Sequence, residues 1–520
     1  MLYLVSEFVE AKGAGGRKIL RRLMNVLLIS LGGLLWGQAG GGGYDQPFRP
    51  QFHFSPREHW TNDPNGLVYF EGEYHLFFQY NPFGDVWGHM SWGHAVSRDL
   101  VHWEELPVAL KEENGVMIFT GSVVVDRANS SGFCRGGKPC MVAVWTGHTS
   151  ETGTKPALQT QNIAYSNDHG RTWTKYSGNP VLNLNMADFR DPKVLWSTQG
   201  KRWVMAVALP NDHKVLLYVS ADLKKWNRLS EFGPAGATSG QWECPELFEL
   251  PVDGTQETRW VLKVGLNPGA LQGGSGEQYF IGRFDGERFQ NDNPAETTLW
   301  TDYGKDCYCA LTFNDLPKTI TPTMIGWMSN WQYARDVPTS PWRGQMTLPR
   351  KLALHTTAEG IRLIQQPVNS LLGLREAPIG VHETMTGTGH QFQFTSIIPL
   401  DTAQEVGWKV LAKNGPFTSI GYDRVKGLLY VDRTHSGEVG FSKDFPTRTE
   451  APLKLNANRL RLDVVVDRDS VEVFAEGGRV TMTNLVFAPQ DADGLEFYAK
   501  GGTAGVVAGS LWKLRSAWGK

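Results

Sequence analysis

The chain has 520 residues, which is more than one compact core accommodates and predicts two domains with appendages. Its 51 basic and 53 acidic residues give a formal net charge of -2, and no long block of like charge occurs. This balance argues against nucleic acid as a partner. The 19 Trp, 25 Phe and 15 Tyr are a heavy aromatic load, which suits either packed cores or surfaces that bind sugar faces.

The N-terminus has the layout of an export signal. Four basic residues between positions 17 and 22 precede the apolar run MNVLLISLGGLLW, and the small residues Gly37 and Ala39 follow. This order is typical of secretory signals, so residues 1–39 are assigned to a signal peptide with an N-terminal extension. The apolar run is shorter than the roughly 20 residues of a spanning helix. We therefore expect a secreted or periplasmic protein with no membrane span after signal removal.

The five cysteines are an odd number, and an exported protein tolerates disulfides. Cys134 and Cys140 bracket the loop FCRGGKPC and are placed to close a small ring. Cys307 and Cys309 lie two apart in a predicted strand, so we expect them to point the same way rather than at each other. No paired CxxC or Cys/His cluster indicates zinc, so burial is the favoured interpretation. No metal and no cofactor are predicted.

A repeated turn runs through the predominantly strand-forming segment from 50 to 350. An Asp followed four or five residues later by an aromatic residue occurs in SRDLVHW, SNDHGRTW, SADLKKW and, more weakly, RFDGERF. The aromatic markers Trp103, Trp173, Trp226 and Phe289 are 70, 53 and 63 residues apart, which is room for one four-stranded unit each. Such repetition predicts a β-propeller in which the Asp turn joins the outer two strands of a blade and the ring packs between blades.

The predicted fold class is all-β. Four copies of the turn and the different segment around MSNWQYARD imply a five-bladed propeller over residues 50–354. A linker over 355–372 and a C-terminal β-sandwich over 373–520 follow, because the later strands alternate but lack the Asp turn. A large sandwich of unrelated hairpins is the alternative, and it explains the spacing less well.

Three carboxylates stand at matching places in their units: Asp63 in TNDPNG, Asp191 in DFRDPK and Glu243 in QWECPEL. They precede the marker aromatics of their units by 40, 35 and 46 residues. In a propeller the innermost strands line the axis, so matching positions converge at one end of the channel. A Pro one or two residues later ends strand pairing and leaves each acid free at the channel mouth.

Two carboxylates across a glycosidic bond are the minimum for its hydrolysis, one as acid and one as nucleophile or base. Like charges held close raise one pKa, which supplies a protonated acid near neutral pH. Asp191 follows Arg190, and we expect Arg190 to keep Asp191 ionised so that it accepts hydrogen bonds from hydroxyl groups.

Simpler interpretations exist for each motif. DPNG alone is usually a turn, RDP alone is often a structural ion pair, and an acid cluster can hold calcium. The catalytic interpretation depends on the register of the three acids and on the aromatic residues expected around them, whose faces suit the C–H surface of a sugar. These are Trp60, Trp87, Trp242 and Trp331.

The motifs WTNDPNG, WGHMSWGHAVSRDLVHW, FTGS, FRDP, WECPEL and SNW, in this order, resemble glycoside hydrolase family 32, the β-fructofuranosidases. The resemblance covers roughly residues 50 to 515 and implies a five-bladed propeller plus a β-sandwich. It implies Asp63 as nucleophile, Glu243 as general acid/base and Asp191 as transition-state stabiliser. It also implies substrate contacts, with Asp306 near the pocket as in subfamilies that act on fructans: Asn62, Gln79, Trp87, Phe119, Thr120, Arg190, Asp306 and Trp331.

Some positions depart from the family pattern. Thr61 stands where Met is frequent, and Thr120 stands where Ser is usual and keeps the hydroxyl group. Cys307 and Cys309 replace more usual aromatic and small residues, which leaves that wall of the pocket less defined.

The reaction that the resemblance implies is retaining hydrolysis, with the two catalytic carboxyl groups about 5 to 5.5 Å apart. The segments GVMIFTGSVVVD, TQNIAYSNDHGRTWTKY, FGPAGA and DYGKD resemble exo-acting fructanases of the inulinase and levanase kind. We expect release of terminal β-D-fructofuranose from inulin, levan and sucrose. An invertase with sucrose as main substrate and a non-catalytic fructan-binding propeller are the alternatives, and endo-cleavage and fructosyl transfer stay open.

Overall fold

Seven β-sheets form the part of the chain described by a computed structural model, which comprises residues 43–505 and 508–518. Five sheets of four or five strands come first, and two six-stranded sheets follow. The predicted signal peptide, residues 1–39, lies outside the described residues. Within the described ranges, no helix combines the length and apolar character that crossing a membrane requires.

The first five sheets are the blades of the predicted propeller, numbered in chain order. Blade 1 consists of β1 (His59–Phe70), β2 (Glu73–Asn81), β3 (Ser91–Ser97) and β4 (Trp103–Leu110). Blade 2 consists of β5 (Val116–Asp126), β6 (Cys140–Thr149), β7 (Leu158–Ser166), β8 (Thr174–Lys175) and β9 (Leu182–Met186). Blade 3 consists of β10 (Arg190–Ser197), β11 (Arg202–Leu209), β12 (Lys214–Ser220) and β13 (Asn227–Phe232), with a 3-10 turn at Pro210–Asp212.

The remaining two blades complete the ring. Blade 4 consists of β14 (Gln241–Pro251), β15 (Thr258–Asn267), β16 (Gly276–Phe284), β17 (Phe289–Asn291) and β18 (Leu299–Trp300). Blade 5 consists of β19 (Tyr308–Thr312), β20 (Thr323–Trp327), β22 (Arg350–Thr357) and β23 (Gly360–Pro367). The short β21 (Trp342–Arg343) leaves blade 5 and pairs in parallel with β1. The first strands β1, β5, β10, β14 and β19 contact one another in a closed circuit, which confirms a five-bladed propeller.

The repeated Asp turn lies where the sequence predicts it, between the third and fourth strands of a blade. In blade 1, the Asp99 carboxylate accepts hydrogen bonds from the backbone N–H groups of Val101 at 3.0 Å and His102 at 2.9 Å. The indole N–H of Trp103 donates to the Leu100 carbonyl at 3.1 Å. Equivalent bonds recur in blades 2, 3 and 4 at Asp168, Asp222 and Asp285. The carboxylates therefore replace backbone partners in tight turns.

The propeller extends further than its predicted end at residue 354. Strand β23 is the outer strand of blade 5, so the first half of the predicted linker 355–372 belongs to a sheet. Its sequence GIRLIQQP pairs along its whole length with β22. The connection itself is a 3-10 turn at Asn369–Leu374, in which Leu371 and Leu374 are buried.

The C-terminal strands form the predicted sandwich. They are β24 (Ile379–Gly380), β25 (Thr384–Met385), β26 (Phe392–Pro399), β27 (Glu405–Ala412), β28 (Thr418–Asp423), β29 (Leu428–Asp432), β30 (Arg448–Pro452), β31 (Arg459–Asp467), β32 (Ser470–Ala475), β33 (Val480–Leu485), β34 (Gly494–Lys500) and β35 (Ala508–Lys513). One sheet has the order β24-β35-β26-β31-β32-β33 and the other β25-β34-β27-β28-β29-β30. Apolar residues of both sheets, including Trp408 and Val464, share one core.

Buried charges join the propeller to the sandwich. Arg350 of β22 donates to Glu472 of β32 at 3.1 Å and to Asp302 at 2.8 Å. The two ring nitrogens of His53 contact Asp467 at 2.8 Å and Glu472 at 2.9 Å. Burial opposes protonation of His53, but these two carboxylates outweigh it and raise its pKa to about 9. Two buried cationic groups therefore neutralise the anions of the interface.

Replacing Arg350 tests this interface. Arg350→Met leaves Asp302 buried without its cation and Glu472 with His53 as its one remaining cationic partner, so we expect the free energy of unfolding to fall by about 3–5 kcal/mol. The matched control is Arg228→Met, which breaks an exposed pair with Glu231 and should cost about 0–1 kcal/mol. Urea denaturation of both variants measures the difference. Equal losses in the two variants would show that the buried pair does not stabilise the interface.

Candidate active site

The first strand of every blade carries a bulge at the same place. Between two successive paired positions, the first strand advances by three residues while the second strand advances by two. A bulge of this kind re-aims side chains and interrupts pairing. The five bulges lie between Thr61 and Pro64, Ile118 and Gly121, Arg190 and Lys193, Glu243 and Glu246, and Tyr308 and Leu311. All three predicted acids are therefore carried by equivalent bulges.

These bulges surround a cavity of about 350 Å³, near the lower end of the range of about 300–1,000 Å³ for small-molecule sites. The three acids and every predicted contact residue except Asp306 lie in its wall. The lining residues are Asn62, Asp63, Gln79, Trp87, Phe119, Thr120, His148, Gln159, Asp188, Arg190, Asp191, Glu243, Asn267 and Trp331.

Asp63 is a buried carboxyl group with one free oxygen. Asp63 is only 8% exposed, and Thr120 Oγ1 donates a hydrogen bond to its Oδ2 at 2.9 Å. Among the described residues, Oδ1 has no hydrogen-bond partner. Burial raises the pKa of Asp63 to about 7, and the charges of Asp191 and Glu243 contribute to this rise. Asp63 thus offers a poorly solvated acceptor in the cavity wall.

The two threonines that depart from the family pattern have different surroundings. Thr120 touches Asp63 directly, as described above. Thr61 is buried, and its Oγ1 donates to the Gln79 carbonyl at 2.9 Å, which ties β1 to β2 beside Asp63. Thr61 is absent from the cavity wall, so it supports the neighbouring bulge rather than substrate.

Asp191 is held by the backbone. Cys244 N–H donates to its Oδ2 at 2.9 Å, and its own N–H donates to Thr146 Oγ1 at 3.0 Å. Its φ of 66° is in the left-handed region that L-residues adopt at a cost, which persists where the surroundings fix it. Burial raises the pKa of Asp191 more strongly than Arg190 lowers it. Arg190 therefore acts in the expected direction on Asp191, but the expectation that it keeps Asp191 ionised is wrong because burial outweighs it.

Arg190 instead binds Glu243. Arg190 Nε donates to Glu243 Oε1 at 3.0 Å, and a terminal nitrogen donates to Asp188 at 2.7 Å. The second oxygen of Glu243 accepts a hydrogen bond from the Tyr308 hydroxyl group. Glu243 is therefore held through both oxygens, by residues from blades 3 and 5.

Two of the four predicted tryptophans face the cavity. Trp87 is 40% exposed and packs edge-on against Phe119 with ring centroids 6.0 Å apart. Trp331 stacks on the buried Trp60 at 5.9 Å. Trp242 lies in the core between blades 3 and 4, away from the acids, because the alternation of β14 turns it to the opposite side from Glu243. The expectation that Trp60 and Trp242 also surround the acids is wrong.

Five residues near the acids were not predicted from the sequence. His148, Gln159 and Asn267 lie near the ends of β6, β7 and β15, where no carboxylate-Pro motif marks them. Asp188 opens the motif DFRDPK and lies two residues before Arg190, so the sequence contained a signal for it. Tyr308 follows Asp306 by two positions, and nothing in its local pattern indicates a contact with Glu243.

The expectation that Asp306 lies near the pocket is wrong. Its carboxylate is fully buried and accepts hydrogen bonds from Arg433 at 2.5 Å and from the backbone of Leu485 at 2.8 Å, both in the sandwich. The Tyr333 hydroxyl group donates to its other oxygen at 2.5 Å. These bonds join the propeller to the sandwich. Asp306 lies two residues before the start of β19 and its bulge, and it does not line the cavity.

Four of the five cysteines form disulfides. Cys134 and Cys140 close the expected small ring. Cys309 pairs with Cys244, while Cys307 is a free, buried thiol. The expectation that Cys307 and Cys309 point the same way is wrong, because the bulge after Tyr308 breaks the alternation of β19. They pack in different clusters, Cys309 at the axis and Cys307 between blades 4 and 5.

One group within the described residues has the spacing of a metal site. It comprises Asp63, Cys244 and Cys309, whose ligand atoms lie within 4.8 Å of one another. Both sulfur atoms are bonded to each other, so neither is available as a thiolate ligand. The group contains one of the three acids, which does not match the oxygen-rich shell that calcium prefers.

Comparison with known proteins follows the same two-domain division. The model of the Glycosyl hydrolases family 32 N-terminal domain matches residues 53–367, and that of the C-terminal domain matches residues 365–513. The chain is 46% identical over 493 residues to levanase of Bacillus subtilis (strain 168), covering 92% of this chain and 72% of that protein. It is 41% identical over 516 residues to extracellular exo-inulinase of Aspergillus awamori, covering 91% and 96%.

Solved structures agree. The crystal structure of exo-inulinase from Aspergillus awamori superposes with a TM-score of 0.87 at 40% identity, covering 91% of this chain and 100% of that chain. β-Fructofuranosidase from Schwanniomyces occidentalis superposes with a TM-score of 0.82 at 32% identity, covering 91% and 99%. Since both domain models match in order across residues 53–513, the chain belongs to glycosyl hydrolases family 32 and is a glycoside hydrolase.

Proposed function

We propose that the protein is a retaining, exo-acting hydrolase that releases terminal β-D-fructofuranose from fructans and sucrose. The observation that carries this proposal is the convergence of Asp63, Asp191 and Glu243 in one small cavity. The similarity to a levanase and to exo-inulinases supports fructans as the substrate class.

The contacts suit three different roles. Asp63, with its free Oδ1, attacks the anomeric carbon of the fructosyl unit and forms a covalent intermediate. Glu243 protonates the leaving oxygen and then activates the water that releases the sugar. Asp191, when ionised, accepts hydrogen bonds from the sugar hydroxyl groups. Mutual repulsion among the three acids favours retention of a proton in the group.

The size of the cavity supports exo-action. A volume of about 350 Å³ suits a terminal sugar and part of its neighbour rather than an internal stretch of polymer. Phe119, Trp331 and the partly exposed Trp87 form apolar walls against which the terminal sugar would pack.

Export from the cell is part of the proposal. The relatives from Aspergillus are named as extracellular, and two disulfides suit an oxidising compartment. Polymeric fructans are too large to enter a cell freely, so an exported enzyme would meet them outside.

The runner-up is an invertase with sucrose as main substrate, which the similarity to a β-fructofuranosidase favours. Incubation with inulin, levan and sucrose, with products followed over time, separates the candidates. We expect fructose as the first and sole early product from at least one polymer, with kcat/KM for that polymer comparable to or above that for sucrose. Oligosaccharides appearing first would contradict exo-action, activity on sucrose alone would favour the invertase, and no product would favour a binding propeller.

Asp63→Asn should abolish turnover, with kcat lowered by more than about 10⁴-fold, because the amide cannot form the covalent intermediate. The raised pKa of Asp63 means that its ionisation costs stability as pH rises from about 4 towards 7, so Asp63→Asn should unfold at or above the wild-type temperature at pH 7. Rates on sucrose and thermal unfolding measure the two effects.

The control for Asp63→Asn is Asp469→Asn. Asp469 is also buried with its pKa raised by burial, to about 8, but it lies at the propeller–sandwich interface outside the cavity. Normal kcat is expected for this control. A folded Asp63→Asn enzyme that turns over sucrose at the wild-type rate would exclude Asp63 as nucleophile.

The acid limb of the pH profile should report the raised pKa of Asp63. The nucleophile must be ionised, so kcat/KM falls as pH drops through that pKa. We expect the apparent pKa of the acid limb to lie about one unit or more above the ordinary value of 3.8. Asp191→Asn removes a neighbouring negative charge, so the limb of its residual activity should move to lower pH. A limb at or below 3.8 in the wild type, or an unmoved limb in the variant, would contradict this electrostatic coupling.

A further inference from the structure

We propose that the Cys244–Cys309 disulfide is a positioning device for the general acid/base, holding Glu243 and Tyr308 as a hydrogen-bonded pair. This inference rests on the proposed function, in which Glu243 protonates the leaving group. The cross-link would act on the protonation step and leave substrate binding nearly unchanged.

The two cysteines occupy equivalent places in neighbouring blades. Each is the first residue inside the bulge of its innermost strand, Cys244 in β14 and Cys309 in β19. These strands belong to different sheets, and no backbone ladder joins them among the described pairings. The disulfide, with Cα atoms 5.4 Å apart, is a covalent tie between the blades at the level of the acids.

Chain adjacency transmits this tie to the acid. Cys244 directly follows Glu243, and Cys309 directly follows Tyr308, whose hydroxyl group donates to Glu243. Cys244 and Cys309 have φ of 48° and 49°, in the left-handed region that is rare for residues with a Cβ atom. Such conformations persist where neighbouring structure fixes them, and the disulfide joins the two residues that adopt them.

Cys244 also contacts the other two acids. Its N–H donates to Asp191 Oδ2 at 2.9 Å, and its Sγ lies 4.0 Å from Asp63 Oδ2. The Cys244 N–H bond to Asp191 comes from the backbone and does not pass through the sulfur atoms, so we expect it to remain when the cross-link is cut. Cys244 is 2% exposed and Cys309 is fully buried, so the bond is shielded from solvent.

The other disulfide offers a matched control. Cys134 lies in the connection from β5 to β6, and Cys140 begins β6, where it pairs with Asp126 at the end of β5 and away from the bulge that carries Thr120. Breaking this bond removes a disulfide from the same protein without touching the acids.

The experiment compares two substrates that differ in their need for an acid. Sucrose needs protonation of its leaving oxygen, whereas β-D-fructofuranosyl fluoride loses fluoride ion with little help. Added azide ion attacks the fructosyl-enzyme directly, forming fructosyl azide without a general base. The Cys309→Ala enzyme should lose about tenfold or more in kcat on sucrose with KM within about twofold, since acid-base catalysis contributes about 10²–10⁴-fold. Its turnover of the fluoride with azide should stay within about threefold of wild type.

The control double variant, Cys134→Ser with Cys140→Ser, should match wild type on both substrates. Unchanged kcat on sucrose for Cys309→Ala, equal losses on both substrates, or a change confined to KM would overturn the positioning role. Wild-type enzyme that hydrolyses neither substrate would instead overturn the proposed function, and the inference with it.

If Cys309→Ala fails to fold, the unsubstituted chain provides the same test. Protein produced in a reducing cytosol is scored for the Cys244–Cys309 bond by alkylation and peptide mass. The dithiol form should show the same selective loss of kcat on sucrose, and oxidation to the disulfide should restore kcat to the wild-type value. A dithiol form with wild-type kcat on sucrose would overturn the proposal.

Discussion

The site depends on one backbone irregularity that all five blades share, the bulge in each innermost strand. A regular strand would alternate its side chains between two faces and direct few of them at the axis. The extra residue turns a side chain from each blade toward the same mouth. Blades 1, 3 and 4 contribute the acids, blade 2 contributes Thr120, and blade 5 contributes Tyr308 and Cys309. The chemistry is thus assembled from five copies of one backbone feature.

This assembly places like charges close together, and their partners decide what each acid can do. Arg190 and Tyr308 satisfy both oxygens of Glu243, whereas Asp63 has one oxygen without a partner among the described residues. Burial and repulsion raise the pKa of Asp63, which makes its ionised form a stronger base and costs stability. Buried ion pairs around Arg350 and His53 lie elsewhere, at the interface with the sandwich.

The sequence was sufficient for features that depend on local pattern. The Asp turns at Trp103, Trp173 and Trp226 and the placement of the acids on the first strands of their blades follow from spacing, and the segment MSNWQYARD indicated the fifth blade. Partners between blades did not follow, because residues far apart in the chain meet there. Arg190 binds Glu243, its effect on Asp191 is outweighed by burial, and Asp306 binds Arg433 of the sandwich. The bulge at Tyr308 also reversed the expected facing of Cys309, since simple alternation fails at a bulge.

The most direct test of the account is to trap the covalent intermediate. Glu243→Gln keeps the shape of the acid/base but removes the base that activates water, so a fructosyl-enzyme formed from β-D-fructofuranosyl fluoride should accumulate. After quenching in acid and digestion, mass spectrometry should find one hexosyl group on the peptide that contains Asp63. A hexosyl group on another residue, or release of fluoride with no adduct at all, would contradict the central claim that Asp63 is the nucleophile.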